Sequence, residues 1–353
     1  MKSKIFGFIA VFFLISCVSI FAWGEQESTA KKYTEVSSYQ IPLPPAIVSQ
    51  EFSIRNTEDW TEALSSIAEG GNYRSYTLII NGNIAIPGDL GVRGQTYINT
   101  FGFVSNLTVT LKGNGKLYLS STGHMFSLSS GQTLIIDSEN LTLQGLKKGQ
   151  NRSKEDNYDS IILTSGTLEL HNGNISDNSN GNDGGAINVS GGIFTMTGGT
   201  IKRNAAEKGG GVYYAGGYDS MFNMTGGIIS GNAAEKGGGV YYAGDYDSSF
   251  NMTGGTISGN TAEKSGGVCV QYVNLFEKTG GIIYGNNAAR NNRNTASSNQ
   301  GGHAVFYLRD SNDDGHHYYC DTTLDSKDNI TTSGFLPTRN GETVNNWTRA
   351  KSR

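Results

Sequence analysis

Asp137 and Glu139 flank Ser138 at the end of a strand-like run, and Asp177 and Asp183 fall in adjacent turns. Two carboxylates that converge can act as general acid and base on a glycosidic bond. One carboxylate holding Ca²⁺ beside an Arg or Lys base can drive elimination from a uronate chain. Either pair could meet only across neighbouring segments. The rival reading is that acids in such places are solvated turn residues. That reading outweighs the catalytic one, so no catalytic set is expected, and Asp137, Glu139, Asp177 and Asp183 are the residues an enzyme would have to use.

Other reactive types are weaker still. Glu207-Lys208, Glu235-Lys236 and Glu263-Lys264 recur once per repeat. A catalytic residue is needed once, so recurrence indicates a structural turn, with both side chains in water. Asp313-Asp314-Gly315-His316-His317 has metal-binding residue types, but it lies outside the repeats, and no metal or cofactor is expected. His124, His171 and His303 are isolated in sequence, with no Ser/His/Asp or Cys/His spacing around them. Cys269 and Cys320 are candidates for a disulfide if the chain is exported.

Aromatic residues give the more suggestive pattern. Tyr213-Tyr214 returns as Tyr241-Tyr242, and Tyr218-Asp219 returns as Tyr246-Asp247, with Asp245 beside it. Strand alternation sends one tyrosine of each pair outward. Tyr213, Tyr241, Tyr218 and Tyr246, with Asp219 and Asp247, therefore form the expected ligand-binding face, suited to a sugar chain or a protein partner. The alternative is a row that only stabilises the sheet.

These residues are placed by a repeat. Gly209 to Gly216 returns almost unchanged as Gly237 to Gly244, and Phe222 to Gly227 returns as Phe250 to Gly255, both at an offset of 28. A fixed period of this size signals stacked units. Each unit holds three short strand-like pieces separated by glycine corners. The expected fold is all-β: a single-chain right-handed parallel β-helix with triangular coils, about ten in number. Like positions should stack about 4.8 Å apart. Phe194, Phe222, Phe250 and Phe276 then make one inward ladder. Val212, Val240 and Val268 make another, and Ile201, Ile229 (or its neighbour Ile228), Ile257 and Ile283 a third. The polar counterpart is an asparagine ladder of Asn178, Asn204, Asn232, Asn260 and Asn286, whose amides can hydrogen-bond along the axis.

The rest of the chain fits this frame. Lys2 and Lys4 precede an apolar run from Ile5 to Ala22, the pattern of a secretory signal over 1–24. The alternative is a lipobox, Leu14-Ile15-Ser16-Cys17, with lipid on Cys17 as the one membrane attachment. Residues 25–50 read as a polar tether. From Asn56 to Ala68, Trp60, Ala63, Leu64 and Ile67 form one apolar helical stripe, with Asn56 or Thr57 as cap, suited to closing the end of a solenoid. The β-helix is expected over 51–330, most regular over about 160–305, with a tail or cap over 331–353. Charged residues make up only 16% of the chain and the formal net charge is −4. No basic stripe stands out, so nucleic acid is not the expected partner.

Gly184-Gly185-Ala186-Ile187 and the five Ile-x-x-Asn tetrapeptides ending at Asn178, Asn204, Asn232, Asn260 and Asn286 resemble the Gly-Gly-Ala-Ile and Phe-x-x-Asn repeats of the polymorphic outer-membrane protein family. Gly210-Gly211-Val212, Gly238-Gly239-Val240 and Gly266-Gly267-Val268 are variants of the first. The earlier strands resemble the pectate-lyase type of β-helix only in general character. The resemblance implies a β-helical passenger at a bacterial surface, often adhesive. It differs from that family after Leu308, where no alternating strands of a membrane barrel follow. The combined expectation is an exported, monomeric, non-enzymatic surface or secreted protein that binds a glycan or a host or matrix protein. The alternative is a β-helical polysaccharide lyase or hydrolase.

Overall fold

A computed structural model describes residues 48–88, 100–146, 157–217, 220–244, 248–271, 275–297, 301–308, 317–333, 336–340, 342–343 and 348–350. The chain divides into two compact units, Met1–Pro44 and Pro45–Arg353, and every described residue lies in the second. The signal segment, Cys17 and most of the expected tether lie outside the described residues. So do Tyr218, Asp219, Asp245, Tyr246, Asp247 and His316.

The second unit is a parallel β-solenoid of about seven turns, fewer than the ten expected. Its regular secondary structure is nearly all strand, with one helix among the described residues. The first sheet runs in order through Val48–Ile54, Arg74–Ile80, Leu107–Gly113, Gln132–Ile136, Thr167–Leu170, Ile193–Met196, Met221–Met224, Ser249–Met252 and Leu275–Lys278, every pair parallel. A second sheet of eight strands contains Thr200–Lys202 and its equivalents, and a third contains Val212–Tyr214 and its equivalents. Each strand is too short to bury its apolar side alone, so the core exists only because the coils stack.

The inward ladders form as the period predicts. Phe194, Phe222, Phe250 and Phe276 are fully buried, and successive ring centroids lie 4.8, 4.3 and 4.8 Å apart. Val212, Val240 and Val268 are in register and buried. In the second sheet Ile229, not Ile228, is the inward residue: Ile229 is fully buried and Ile228 is 43% exposed. Burying a side chain of this size contributes roughly 1.5–3 kcal/mol.

Three features differ from the expected triangular coil. A fourth sheet of four strands, Ala205–Lys208, Ala233–Lys236, Thr261–Lys264 and Thr295–Ala296, forms a flange between the second and third sheets. Glu207-Lys208, Glu235-Lys236 and Glu263-Lys264 therefore lie on strands rather than in turns. Alanine, glutamate and lysine have low strand propensity, and stacking in register overrides it.

The asparagine ladder also differs. Asn204 Nδ2 donates to Asn232 Oδ1 at 3.1 Å, Asn232 Nδ2 to Asn260 Oδ1 at 3.0 Å, and Asn260 Nδ2 to Asn294 Oδ1 at 3.0 Å. Asn294, not Asn286, is the rung after Asn260. Asn286 is exposed at the start of a turn-rich insertion that delays the rung. At the other end the ladder gains Asn157, whose Nδ2 donates to Asn178 Oδ1 at 3.1 Å. The residue before the rungs Asn178, Asn204, Asn232 and Asn260 is left-handed: Asp177, Arg203, Gly231 and Gly259 have φ of 60°, 55°, 63° and 62°. Glycine reaches that region without a Cβ clash, which explains Ile-Ser-Gly-Asn in the two most regular coils.

The third difference concerns the cysteines. Cys269 pairs in register with Phe306 on the outer side of the third sheet, while Cys320 pairs with Val305 and joins the inner core. The two face opposite sides of one sheet, and both are free thiols, so the candidate disulfide does not form.

Both ends of the stack are closed. The helix Thr57–Glu69 buries Trp60, Ala63 and Ile67 of the stripe read from the sequence, and its fourth member, Leu64, packs partly buried against the core. Asn56 Oδ1 accepts from Asp59 N at 2.8 Å, and Asp59 Oδ2 accepts from Arg55 N, one residue before the cap, at 2.9 Å. At the far end Ile330–Ser333, Leu336–Arg339 and Glu342–Thr343 continue the first sheet in antiparallel fashion. Lys278 follows Met196, Met224 and Met252 in one inward column and is fully buried. Its ammonium donates to Asp325 O at 2.5 Å and Asp328 O at 2.8 Å, so a buried charge ties the last coil to the closing segment.

Candidate functional site

The candidate acids occupy three places on the coil. Asp137 and Glu139 follow a first-sheet strand, Asp177 follows the second-sheet strand Asn174–Ser176, and Asp183 bridges to Lys208 at the flange. Three of the four are engaged structurally. Asp137 Oδ1 accepts from Asn172 Nδ2 at 3.0 Å. Asp177 takes a two-point contact from Arg203, Nε to Oδ1 and Nη2 to Oδ2, each at 2.8 Å. That contact, partly offset by desolvation, raises the Arg203 guanidinium above its ordinary value. Asp183 Oδ2 lies 3.2 Å from Lys208 Nζ. Glu139 is exposed. Asp137 and Glu139 leave the coil at one corner, Asp177 at another, and Asp183 beside the flange.

A different constellation, invisible in the sequence spacing, forms around His124. Its Nδ1 lies 2.9 Å from Ser160 O and 3.3 Å from Ser160 Oγ, and its Nε2 lies 3.5 Å from Asp159 Oδ1. The short contact to a carbonyl assigns the proton to Nδ1. Ser160 Oγ spends its own proton on Ile162 O at 3.0 Å. A nucleophilic serine needs a lone pair on the base to take its proton. Here the nitrogen facing the hydroxyl is itself a donor, and Ser160 is buried. The group is a structural clasp between coils.

The outer face of the third sheet carries the aromatic row. Asn188, Tyr213, Tyr241, Cys269 and Phe306 succeed one another in register. Tyr213 stacks on Tyr241 with centroids 5.7 Å apart and planes 13° apart, as the strand alternation requires. Only Tyr213 is partly open. Tyr241 is 2% exposed, because it packs with Cys269 and Phe306 in a second apolar cluster flanked by Ala243, Leu308 and Tyr319. Its hydroxyl donates to Gln271 Oε1 at 2.5 Å. The expected row of exposed tyrosines therefore shortens to Tyr213 among the described residues. Tyr214 and Tyr242 are the inward members of each pair.

The electrostatics centre on the flange edge. Tyr213 is pushed up to about 12, first by burial, then by the charge and hydrogen bond of Asp183. Lys208 Nζ lies 6.0 Å from the Tyr213 centroid and 5.9 Å from that of Tyr241, within cation–π range. The Cys269 thiol is pushed up to about 12 by burial, against the opposing charges of Lys236 and Lys264. Lys208, Lys236 and Lys264 thus run beside the aromatic row, which the sequence reading missed by assigning them to solvated turns. The signal was their exact phase with the tyrosines, five residues before Tyr213, Tyr241 and Cys269. Among the described residues no group of three or more His, Cys, Asp or Glu side chains is placed to hold a metal ion.

In comparisons with known proteins, no family model matches the chain, and no curated protein or solved structure matches it either.

Proposed function

We propose that this chain is a non-enzymatic binding protein of a bacterial surface or its surroundings, exported through its N-terminal segment and presenting the third-sheet face to a glycan or a host or matrix protein. The observation that carries the reading is the separation of its acids. Asp137, Asp177 and Asp183 occupy different corners, and each already holds a structural partner. A glycoside hydrolase needs two such groups on one substrate bond. What the fold repeats instead is a surface: outward side chains in register over successive coils beside a half-open aromatic residue. Regularly spaced contacts suit an extended ligand, with many weak interactions in line.

The polymorphic outer-membrane protein repeat type is part of this proposal, carried by Gly184 to Ile187 and the Ile-x-x-Asn tetrapeptides. The solenoid supports the architecture which that resemblance implies. The test is retention of the purified chain on immobilised glycans and matrix proteins, compared with a Tyr213→Ala variant. Loss of retention with an unchanged thermal transition supports the reading. Equal retention by both proteins removes the third-sheet face as the site.

A further inference from the structure

Lys208, Lys236 and Lys264 pair in register, one per coil, on adjacent flange strands. In-register side chains of neighbouring strands are about 4.8 Å apart, and like charges at that separation oppose each other. The stack does not require cations here. The next flange strand, Thr295–Ala296, joins the same sheet without contributing a lysine. Asp183, bridged to Lys208 from the preceding coil, neutralises the first lysine only. Lys236 and Lys264 have no carboxylate within ion-pairing distance among the described residues, although both are half-buried. Glu207, Glu235 and Glu263 alternate with the lysines along each strand, so they project from the opposite face, and all three are exposed. The lysines border the outer face of the third sheet, as the position of Lys208 over Tyr213 and Tyr241 shows. The result is a line of like charge, held by the backbone, half-desolvated and left largely uncompensated.

We propose that Lys236 and Lys264, extended by Lys208 and Tyr213, form the binding track for a linear acidic polysaccharide laid along the solenoid axis. Successive anionic groups on such a chain can face successive lysines, and the half-open Tyr213 adds an aromatic contact for a sugar. Binding relieves the repulsion among the lysines, and the rigid backbone means no ordering of the track is needed. The inference rests on the binding function proposed above and names its ligand class.

The experiment measures binding of the purified chain to a polyuronate of defined length. Neutral dextran and a single-stranded DNA oligonucleotide serve as comparisons, at low and at physiological salt. The track predicts polyuronate binding that weakens with salt and no dextran binding. It also predicts at least tenfold weaker polyuronate binding in Lys236→Gln/Lys264→Gln, and undiminished binding in Glu235→Gln/Glu263→Gln. The lysine double variant should melt no lower than the parent, since a repulsion has been removed. Unchanged polyuronate affinity in that variant overturns the proposal, as does DNA binding equal to that of polyuronate. Retention on a neutral glycan or a matrix protein that survives Lys236→Gln/Lys264→Gln but not Tyr213→Ala overturns the lysine track while leaving the broader binding function standing.

Discussion

Asn232→Ala should be among the most damaging single changes in the regular coils, and Asn286→Ala among the mildest, although the two asparagines end the same tetrapeptide motif. Asn232 is buried and its side chain makes four hydrogen bonds. Its Oδ1 accepts from Asn204 N at 3.0 Å and Asn204 Nδ2 at 3.1 Å, and its Nδ2 donates to Asn260 Oδ1 and Ile201 O, both at 3.0 Å. Truncation takes the acceptor from the buried Asn204 N–H, which costs about 1–3 kcal/mol, and the remaining bonds are each worth about 0.5–1.5 kcal/mol net. Asn204 Nδ2 keeps Ile175 O and Lys202 O, and Asn260 Oδ1 keeps Asn232 N, so part of the loss is absorbed. The expected cost is about 3 kcal/mol. Asn286 is exposed and outside the ladder, so its truncation should cost no more than about 0.5 kcal/mol. Urea unfolding followed by circular dichroism gives both differences. Hydrogen exchange should show the Asn232 loss concentrated in the neighbouring coils, because solenoid stability is a sum of nearest-neighbour terms. Asn294→Ala should resemble Asn232→Ala. Equal midpoints for the Asn232 and Asn286 variants would refute the ladder assignment.

Other outcomes follow from the same structure. Phe222→Ala removes a ring stacked between Phe194 and Phe250 and should cost about 3–5 kcal/mol in the same unfolding experiment, whereas truncating the outward Met221 should cost far less. Cys269 and Cys320 should resist a thiol reagent in the native protein and react on unfolding, and mass spectrometry of digests should find no Cys269–Cys320 cross-link. Asp59 is held below its ordinary value, chiefly by the hydrogen bond from the Arg55 side chain, then by that from the Arg55 backbone. A folded value below the unfolded one, about 3.9, gives stability that is present above pH 4 and lost as pH falls through the folded value. The stability gap between the parent and Asp59→Asn should therefore narrow below about pH 4 in acid titrations.

Much of the fold was legible because stacking imposes identity on the core. Phe222 and Phe250, Ile229 and Ile257, and Val212 and Val240 recur because equivalent inward positions see the same environment one coil apart. The capping helix was legible because Trp60, Ala63 and Ile67 carry their own period and Asn56 its own cap. What escaped depended on contacts across coils. Asn286 and Asn294 cannot be ranked locally, since the insertion between Tyr284 and Asn294 decides which reaches the ladder. The flange strands have little strand propensity and exist through register alone. Outwardness of Tyr241 was legible, but not its exposure, which is set by Cys269 and Phe306 from later coils. The candidate acids could be found by type but not by convergence, since Asp177 and Asp183, near in sequence, leave the coil at different corners.

The measurement that bears most directly on the account is the length distribution of an acidic polysaccharide after prolonged incubation with a saturating amount of the protein, read by size-exclusion chromatography with refractive-index and ultraviolet absorbance detection. The account predicts a polymer that co-elutes with the protein and, once the protein is removed, returns at its original length with no unsaturated ends. Shortened chains would contradict it, and would mean that acids held apart on the corners of this coil act together after all.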